Sequence, residues 1–295
     1  MAATADTSRP ARRQSAGALL KGYGLLAPAA LWVSLFFIVP LVSMVIYSFW
    51  ERRGSELITE FTTANYERFF SKWHFLKSLL NSLEVTGITV LISILLAYPL
   101  AYILAYKVSP RWQRTALVLA VLPFWTSYLV RSYSWLLVLA ENGAINTGLL
   151  WLGIVDEPVS LAYSRGATVV GFVHFFIMLL TLTIYANLVQ IPASYRLAAT
   201  DLGASKFSAF LRITLPLSIP GIAIGAFLTF VITIGDFITP QILGGNRELL
   251  MPQSIMMQIG KRANFPMATS MGLIMMGVIT LVFFAFARWL KMERV

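Results

Sequence analysis

The sequence predicts an all-α integral membrane protein with six transmembrane helices. Of its 295 residues, 58% are hydrophobic and only 12% are charged, whereas a soluble domain carries about 25% charged residues. Long charge-free intervals recur along the whole chain, which is typical of a protein with several membrane spans rather than one anchor. There is no cysteine and there are only two histidines, so a disulfide framework, a thiol nucleophile or a histidine-based metal site is not expected.

The charge-free intervals give the expected spans. A membrane helix needs about 20 residues, and five intervals meet this length. The third is shorter, and Arg114 and Arg131 at its ends are expected to extend to the membrane interfaces. The segment 142–155 is rich in glycine and too short to cross, which indicates a re-entrant or interfacial helix. The six expected spans are 22–50, 85–106, 115–130, 166–195, 213–235 and 263–287.

The distribution of Lys and Arg predicts that both termini are cytoplasmic. With the termini inside, the inner segments hold 13 of the 23 Lys and Arg residues but only 3 of the 13 acidic residues. The net charge of +10 is then a topology signal, and no basic soluble domain is present that would bind nucleic acid.

The expected organisation is a basic cytoplasmic tail at 1–21 followed by one membrane domain at 22–295. The first span is too long for the apolar core of a signal peptide, so it is expected to be retained. The outer loop 51–78 is rich in aromatic residues and charges of both signs. This composition predicts a short amphipathic helix at the membrane interface.

The insert 192–216 is the longest polar connection on the expected cytoplasmic face. Helix formers occupy Leu197 to Leu202, Gly203 ends that helix, and Ser205 can cap a second short helix. The second helix would place Phe207, Phe210 and Leu211 on one side. This pattern fits either a docking element or an amphipathic connector that packs on the bundle.

The residues of the insert also carry a resemblance to a known family. The spacing of Ala198-Ala199, Gly203, Ile213 and Leu215-Pro216 resembles the EAA loop of ABC importer permeases with a MetI-like (type I importer) transmembrane domain. The stretches 122–127, 131–135, 142–143 and 150–153 are similar to the spermidine/putrescine branch, in particular to the first of its two permease subunits. The segments 235–237, 244–245 and 265–268 extend the likeness towards the C-terminus. Relatives that carry opines, phosphonates or ferric iron share much of the pattern.

The resemblance implies a non-catalytic permease subunit in the bacterial inner membrane. Its partners would be a second homologous permease subunit, a dimer of ATP-binding subunits and a periplasmic binding protein. This chain lacks a G-x-x-x-x-G-K-[ST] phosphate loop, so no cofactor is expected on it, and ATP and Mg²⁺ would bind the partner ATPase subunits. The expected coupling residues are Leu197, Ala198, Ala199, Asp201, Gly203, Ala204, Phe207, Phe210, Ile213, Leu215 and Pro216. The family's acidic residue is Leu197 here, so docking is expected to depend on Gly203 and the apolar residues.

Two groups of residues are candidates for the substrate path. In the third span, Trp125, Thr126 and Tyr128 follow Pro123 at a depth of about 16 Å from Arg114. An aromatic wall there suits ammonium groups through cation–π attraction, or it packs against neighbouring helices. In the fifth span, Gly225, Thr229, Thr233 and Asp236 share one helical face.

That face is small and polar, so it is expected to meet protein or water rather than lipid. Asp236 is expected to contact a cationic substrate, with pairing to Arg247 or to the partner subunit as the alternative. Glu141 can line the outer mouth, Glu84 is expected at the interface, and His174 is expected as a hydrogen-bonded packing residue.

A stand-alone channel, an ion-coupled carrier and a membrane-embedded enzyme are the rival classes. A carrier predicts paired ionisable residues at mid-depth, whereas the charges here cluster at the ends of the spans. An enzyme predicts a catalytic group inside the membrane, and the apolar intervals offer no pair of such groups.

Overall fold

The computed structural model describes residues 26–245 and 249–290. The predicted basic tail and Arg247 lie outside these residues. In the described part, five helices are long and apolar enough to cross a membrane, and a bent helix pair raises the number to six. The predicted class of fold, a helical membrane protein with about six spans, is therefore confirmed.

The helices are numbered in chain order, with a small β-hairpin after the first. The transmembrane helices are α1 (Leu26–Ser48), α3 (Trp73–Tyr106), the bent pair, α7 (Arg165–Leu188), α9 (Lys206–Gly235) and α12 (Phe265–Leu290). The bent pair runs from Pro110 to Trp125 and from Tyr128 to Trp151. Its first arm consists of α4 (Pro110–Val121) and a 3₁₀ turn (Leu122–Trp125), and its second arm of α5 (Tyr128–Leu139) and the short helix α6 (Ala144–Trp151). The other shorter elements are β1 (Glu51–Arg53), β2 (Glu56–Ile58), α2 (Ala64–Ser71), α8 (Ala193–Asp201), α10 (Ile238–Leu243) and α11 (Met251–Gly260).

The bundle has two ends: the hairpin end carries β1 and β2, and the loop end carries the segment 192–216. At the hairpin end, Arg52 in β1 donates to the carbonyls of Arg262 and Ala263, and Asn65 in α2 donates to the carbonyl of Trp50. At the loop end, the Tyr106 hydroxyl donates to the carbonyl of Leu188 over 2.8 Å. Helices α1 and α12 meet at the hairpin end and run from there towards the loop end, where the segment 192–216 lies.

Helices α3 and α7 form the centre of the bundle. Their interface at the loop end is a cluster of small and aliphatic side chains, with Ala97, Ala101 and Leu180 fully buried. Helix α9 packs on this pair, and the Tyr98 hydroxyl meets Ser218 Oγ at 3.0 Å. At the hairpin end, Phe69 of α2 is buried in a second cluster with Phe75, Met251, Met267 and Met271.

Several predicted boundaries differ from the structure for identifiable reasons. Helix α3 begins at Trp73, twelve residues before the predicted span, because its polar first turns pack on protein: Ser82 accepts from the Met251 amide and Arg165 pairs with Glu84. The second helix of the insert is not separate, because α9 runs unbroken from Lys206. The predicted amphipathic helix in 51–78 is present as α2, and it is anchored on protein through Phe69.

Prolines account for two irregular stretches within the long helices. A π-helical stretch at Ser34–Ile38 in α1 ends two residues before Pro40, and another at Phe210–Thr214 in α9 ends two residues before Pro216. Proline lacks an amide hydrogen and its ring clashes with the carbonyl four residues earlier. A wider turn just before the proline accommodates both effects.

Candidate functional site

The third predicted span, 115–130, is not one continuous helix. It breaks at Thr126 and Ser127, and the helices on either side are bent by 86°. The break follows Pro123, which is incompatible with an undisturbed helix at that point. The rings of Phe124 and Tyr128, on the two sides of the break, lie 5.0 Å and 5.2 Å from the ring of Phe175. Because Phe175 is near the middle of α7, the break lies deep in the bundle.

Helix α9 also ends deep in the bundle, beside the first break. It stops at Gly235, and α10 begins at Ile238 after two extended or irregular residues. The side chain of Thr239 in α10 lies against Gly171 of α7, only four residues from Phe175. The Tyr128 hydroxyl joins the two breaks, because it donates to the Asp236 carboxylate and hydrogen-bonds to the Thr239 hydroxyl.

Each break has one charged side chain that satisfies its free backbone groups. Arg131 donates to the carbonyl of Thr126 at 3.0 Å and lies 3.5 Å from the carbonyl of Phe124. Asp236 accepts from the amides of Ile238 at 2.8 Å and Thr239 at 3.3 Å. In a membrane such groups must be satisfied by protein or by a water-lined cavity, so both charges have a structural role at this depth.

Arg131 therefore differs from its prediction. It does not extend to the interface: its residue is only 6% exposed, and its guanidinium lies 5.2 Å from the Phe175 ring centroid. It lines a cavity of about 300 Å³ together with Pro123, Thr126, Trp135 and His174. Its Nη1 atom has no hydrogen-bond partner among the described residues. The sequence signal for this site was an arginine eight residues after a proline, with apolar stretches on both sides of it.

The predicted cluster at 125–128 is divided by the break. Trp125 is 83% exposed and faces away from the subunit, while Tyr128 faces Asp236. Thr126 lies at the cavity, where its hydroxyl accepts from Arg131 Nε at 3.3 Å. His174 is a hydrogen-bonded packing residue as predicted, since Trp135 Nε1 donates to its Nδ1 at 2.8 Å.

The small polar face of α9 packs against protein. Gly225, Thr229 and Thr233 are all buried, and a Cβ on Gly225 would overlap Thr183 and Leu180 of α7. The sequence left open whether this face meets protein or water. In the structure it meets protein, and its neighbour is α7. The Thr229 and Thr233 hydroxyls have no partner among the described residues.

The predicted residues at the outer mouth lie at the hairpin end. Glu141 is exposed and lines a depression of about 410 Å³ with Asn142 and Tyr163. Glu84 pairs with Arg165 at 2.7 Å. The segment 142–155 contains the short helix α6, which belongs to the second arm of the bent pair.

The segment 192–216 forms a second site at the loop end. Helix α8 ends in a Schellman motif: the Ala204 amide donates to the Ala199 carbonyl, and the Gly203 amide donates to the Thr200 carbonyl, both at 2.9 Å. Gly203 has φ +84°, which a residue with a side chain adopts only with strain. Ser205 Oγ accepts from the Ser208 amide at 3.2 Å, so the predicted cap is confirmed.

Apolar side chains project from this turn into solvent. Leu202 at its tip is 89% exposed, and Leu197, Phe207 and Leu211 are exposed as well. Phe210 packs against Tyr98 and Tyr102, so of the three residues predicted on one side only Phe207 and Leu211 are exposed. The turn also encloses a groove of about 550 Å³ lined by small residues and one arginine. Its lining includes Ala198, Ala199, Leu202, Ala204, Arg212 and Ile213.

The remaining coupling candidates, Asp201, Leu215 and Pro216, are not among the residues that line this groove. Asp201 and Pro216 are exposed and Leu215 is half-buried. An exposed apolar surface of this kind, next to a groove and outside the apolar spans, is typical of a protein–protein docking site.

A helical membrane protein with a broken span, a small polar site at depth and an apolar docking turn at one end has the features of a transport permease. The chain belongs to the family described as "Binding-protein-dependent transport system inner membrane component", which matches residues 97–292. It is therefore a multi-pass inner-membrane permease subunit of an ABC importer.

The relatives agree with this assignment. The spermidine/putrescine transport system permease protein PotB of Salmonella typhimurium is 33% identical over 264 residues, which cover 88% of this chain and 91% of that protein. A chain of a bacterial alginate ABC transporter shares the fold with a TM-score of 0.76 and 18% identity, over 93% and 94% of the two chains. A chain of the MetNI methionine ABC transporter has a TM-score of 0.57 and 15% identity, over 74% and 95%.

Proposed function

We propose that this permease subunit imports a polyamine such as spermidine or putrescine, together with a second permease subunit, two ATPase subunits and a periplasmic binding protein. The observation that carries the proposal is the pair of facing helix breaks joined by Tyr128 and Asp236. Irregular backbone at membrane depth is tolerated where it lines a pathway. The relatives that carry a polyamine in their names support this class of substrate.

The orientation proposed here places the loop end in the cytoplasm. Lys107, Arg196, Lys206 and Arg212 all lie at that end, in accordance with the excess of basic residues in cytoplasmic loops. The hairpin end, with Glu141 and its depression, then faces the periplasm and the binding protein.

The exposed turn of segment 192–216 is proposed to dock on an ATPase subunit. ATP and Mg²⁺ bind the ATPase subunits, and their closure moves α8. Because the Schellman motif fixes α8 to the start of α9, that movement passes along α9 towards Gly235 and Asp236. The facing breaks then open to the periplasm and accept the substrate from the binding protein.

A cationic substrate suits the Asp236 side of the site. Its carboxylate supplies a negative charge, and the neighbouring rings of Phe124, Tyr128 and Phe175 supply faces that each attract an ammonium group by about 0.5–2 kcal/mol. Arg131 over Phe175 shows that this environment already holds one cation. The polyamine is therefore proposed to pass on the Asp236 side, away from Arg131.

The second candidate is import of a small anionic solute, such as a phosphonate or an opine. It is favoured by one observation, the unpartnered Nη1 of Arg131 in the 300 Å³ cavity. Substrate-stimulated ATPase activity of the complete complex with its binding protein separates the two candidates. Spermidine or putrescine should stimulate hydrolysis; stimulation by an alkylphosphonate or an opine, with none by polyamines, would replace the first proposal by the second.

The charge of Asp236 is expected to matter for transport. Asp236→Asn should raise the KM for spermidine uptake about tenfold, since a lost ion pair in a partly buried site costs about 1–3 kcal/mol. Assembly should be retained, because the asparagine oxygen can still accept from the Ile238 amide and its NH2 group can donate to the Tyr128 hydroxyl, so that only the 3.3 Å contact from the Thr239 amide is lost. Uptake of radiolabelled spermidine into cells measures the KM.

The matched control is Tyr128→Phe, which removes the hydroxyl held by Asp236 but keeps the carboxylate. If Asp236 acts through its charge, Asp236→Asn should raise KM more than Tyr128→Phe does. Equal effects of both variants, or an unchanged KM in Asp236→Asn, would assign Asp236 to a structural role only.

A further inference from the structure

A second large cavity lies at the loop end, between the end of α3 and the start of α9. Its volume is about 650 Å³. Aromatic rings form its walls, with Tyr102 and Tyr106 on α3 facing Phe207 and Phe210 on α9. It is separate from the break site and adjoins the docking groove, with which it shares Ala209, and the transport mechanism above assigns it no ligand.

The rim of this cavity is strongly basic. Lys107, Arg196 and Lys206 line it, and no carboxylate among the described residues does. Arg196 lies over the ring of Tyr106 at 3.7 Å, and its buried Nε atom has no hydrogen-bond partner in the described part of the chain. Three cations around one opening, without a counter-charge, are suited to a phosphate group.

The cavity continues into an apolar track on α3. Leu96, Pro99 and Ile103 recur at intervals of three and four residues, so they share one helical face, and all three are exposed. The track extends for about 10 Å along the helix, from the cavity towards the interior of the membrane. An acyl chain can lie along it while the headgroup stays at the basic rim.

We propose that this cavity binds one anionic phospholipid, with its phosphate between Lys107, Arg196 and Lys206 and an acyl chain along Leu96–Ile103. Two features favour a lipid over a soluble phosphate: the cavity lies where the membrane span α3 ends, and it opens onto the apolar track. Basic pockets between helices on the cytoplasmic side are known to hold such headgroups. The bound lipid would connect α3 to the segment that carries the docking turn.

The test uses the assembled complex and phosphatidylglycerol. The complex is purified in a mild detergent, and binding of a fluorescent phosphatidylglycerol is titrated. The double variant Lys107→Gln/Arg196→Gln should bind it about thirtyfold more weakly, because each basic residue near a membrane surface contributes a factor of about five. The control Arg111→Gln/Arg114→Gln removes two charges at the same end, outside the cavity, and should keep wild-type affinity. Equal affinity of the two double variants would overturn the proposal.

Two further measurements separate a lipid from other occupants. A photocrosslinking p-benzoylphenylalanine at Ile103 should capture phospholipid in native membranes. Capture of a permease or ATPase subunit alone would show that protein fills the cavity and would overturn the proposal. Inorganic phosphate should displace the fluorescent lipid only at concentrations far above those of competing phosphatidylglycerol. Displacement by both at equal concentrations would exclude a contribution of the acyl track.

Discussion

Replacement of Leu202 by glutamate is expected to abolish ATP-driven uptake while leaving the subunit folded. Leu202 is 89% exposed at the tip of the docking turn, so the exchange disturbs no packing within the chain. In the proposed complex this side chain enters an apolar groove on an ATPase subunit. An unpaired carboxylate buried there costs about 3–5 kcal/mol, which lowers the affinity for the ATPase by a factor of about 10²–10⁴.

Co-purification of the ATPase subunit with the tagged chain measures this effect directly. The matched control is Leu57→Glu, the same exchange at an exposed leucine in β2 at the hairpin end. The control should retain the ATPase at the wild-type ratio, because it lies at the opposite end of the bundle. Retention of the ATPase by Leu202→Glu would contradict docking at the loop end. Loss of the ATPase in Leu57→Glu would place the docking site at the hairpin end instead.

Replacement of Gly221 by valine is expected to push α9 away from α7. Gly221 is buried where α9 crosses α7, and a Cβ at this position would lie 2.5 Å from Asn187 Cβ. Asn187 Cβ is fixed to the backbone of α7, so no side-chain rotation relieves the overlap and the two helices must separate. Overpacking of a core typically costs about 1–3 kcal/mol, and separation of the helices would also strain the Tyr98–Ser218 contact.

The yield of monodisperse complex in size-exclusion chromatography and its thermal midpoint both report on this packing. The control Gly277→Val lies on α12, where a Cβ would meet nothing within 4 Å, and it should behave as wild type. A second change, Asn187→Gly, removes the obstructing Cβ and should restore part of the loss in Gly221→Val. Equal yield and midpoint for Gly221→Val and Gly277→Val would show that the close approach of α7 and α9 has no energetic importance.

The sequence predicted the elements of the fold well where one physical signal dominates. Apolar length located the five continuous spans but not the break in the third predicted one, and the Gly203 and Ser205 signals located the turn of segment 192–216 correctly. Boundaries were poorer: α3 begins at Trp73 and α9 at Lys206, because polar helical turns outside the apolar interval are stabilised by contacts with distant residues. Ser82 with Met251 and Phe210 with Tyr98 are such contacts, and no local pattern reveals them.

The site at the helix breaks was only partly predictable. The sequence drew attention to Pro123, Tyr128 and Asp236 separately, since each is unusual in an apolar span. It did not show that α9 ends beside the break, because their proximity depends on how both helices pack on α7. For the same reason Arg131 was assigned to the interface, although the broken backbone at Thr126 offers it carbonyl acceptors within the bundle.

The central claim is that this chain forms part of a pathway driven by ATPase subunits and has no energy supply of its own. Spermidine uptake into proteoliposomes tests it most directly, with both permease subunits, the ATPase subunits, ATP and the binding protein present, and then with the ATPase subunits omitted. Uptake is expected in the complete system, and none above the lipid background is expected without the ATPase. Undiminished uptake by the permease subunits without the ATPase would contradict the claim and identify a channel or carrier instead.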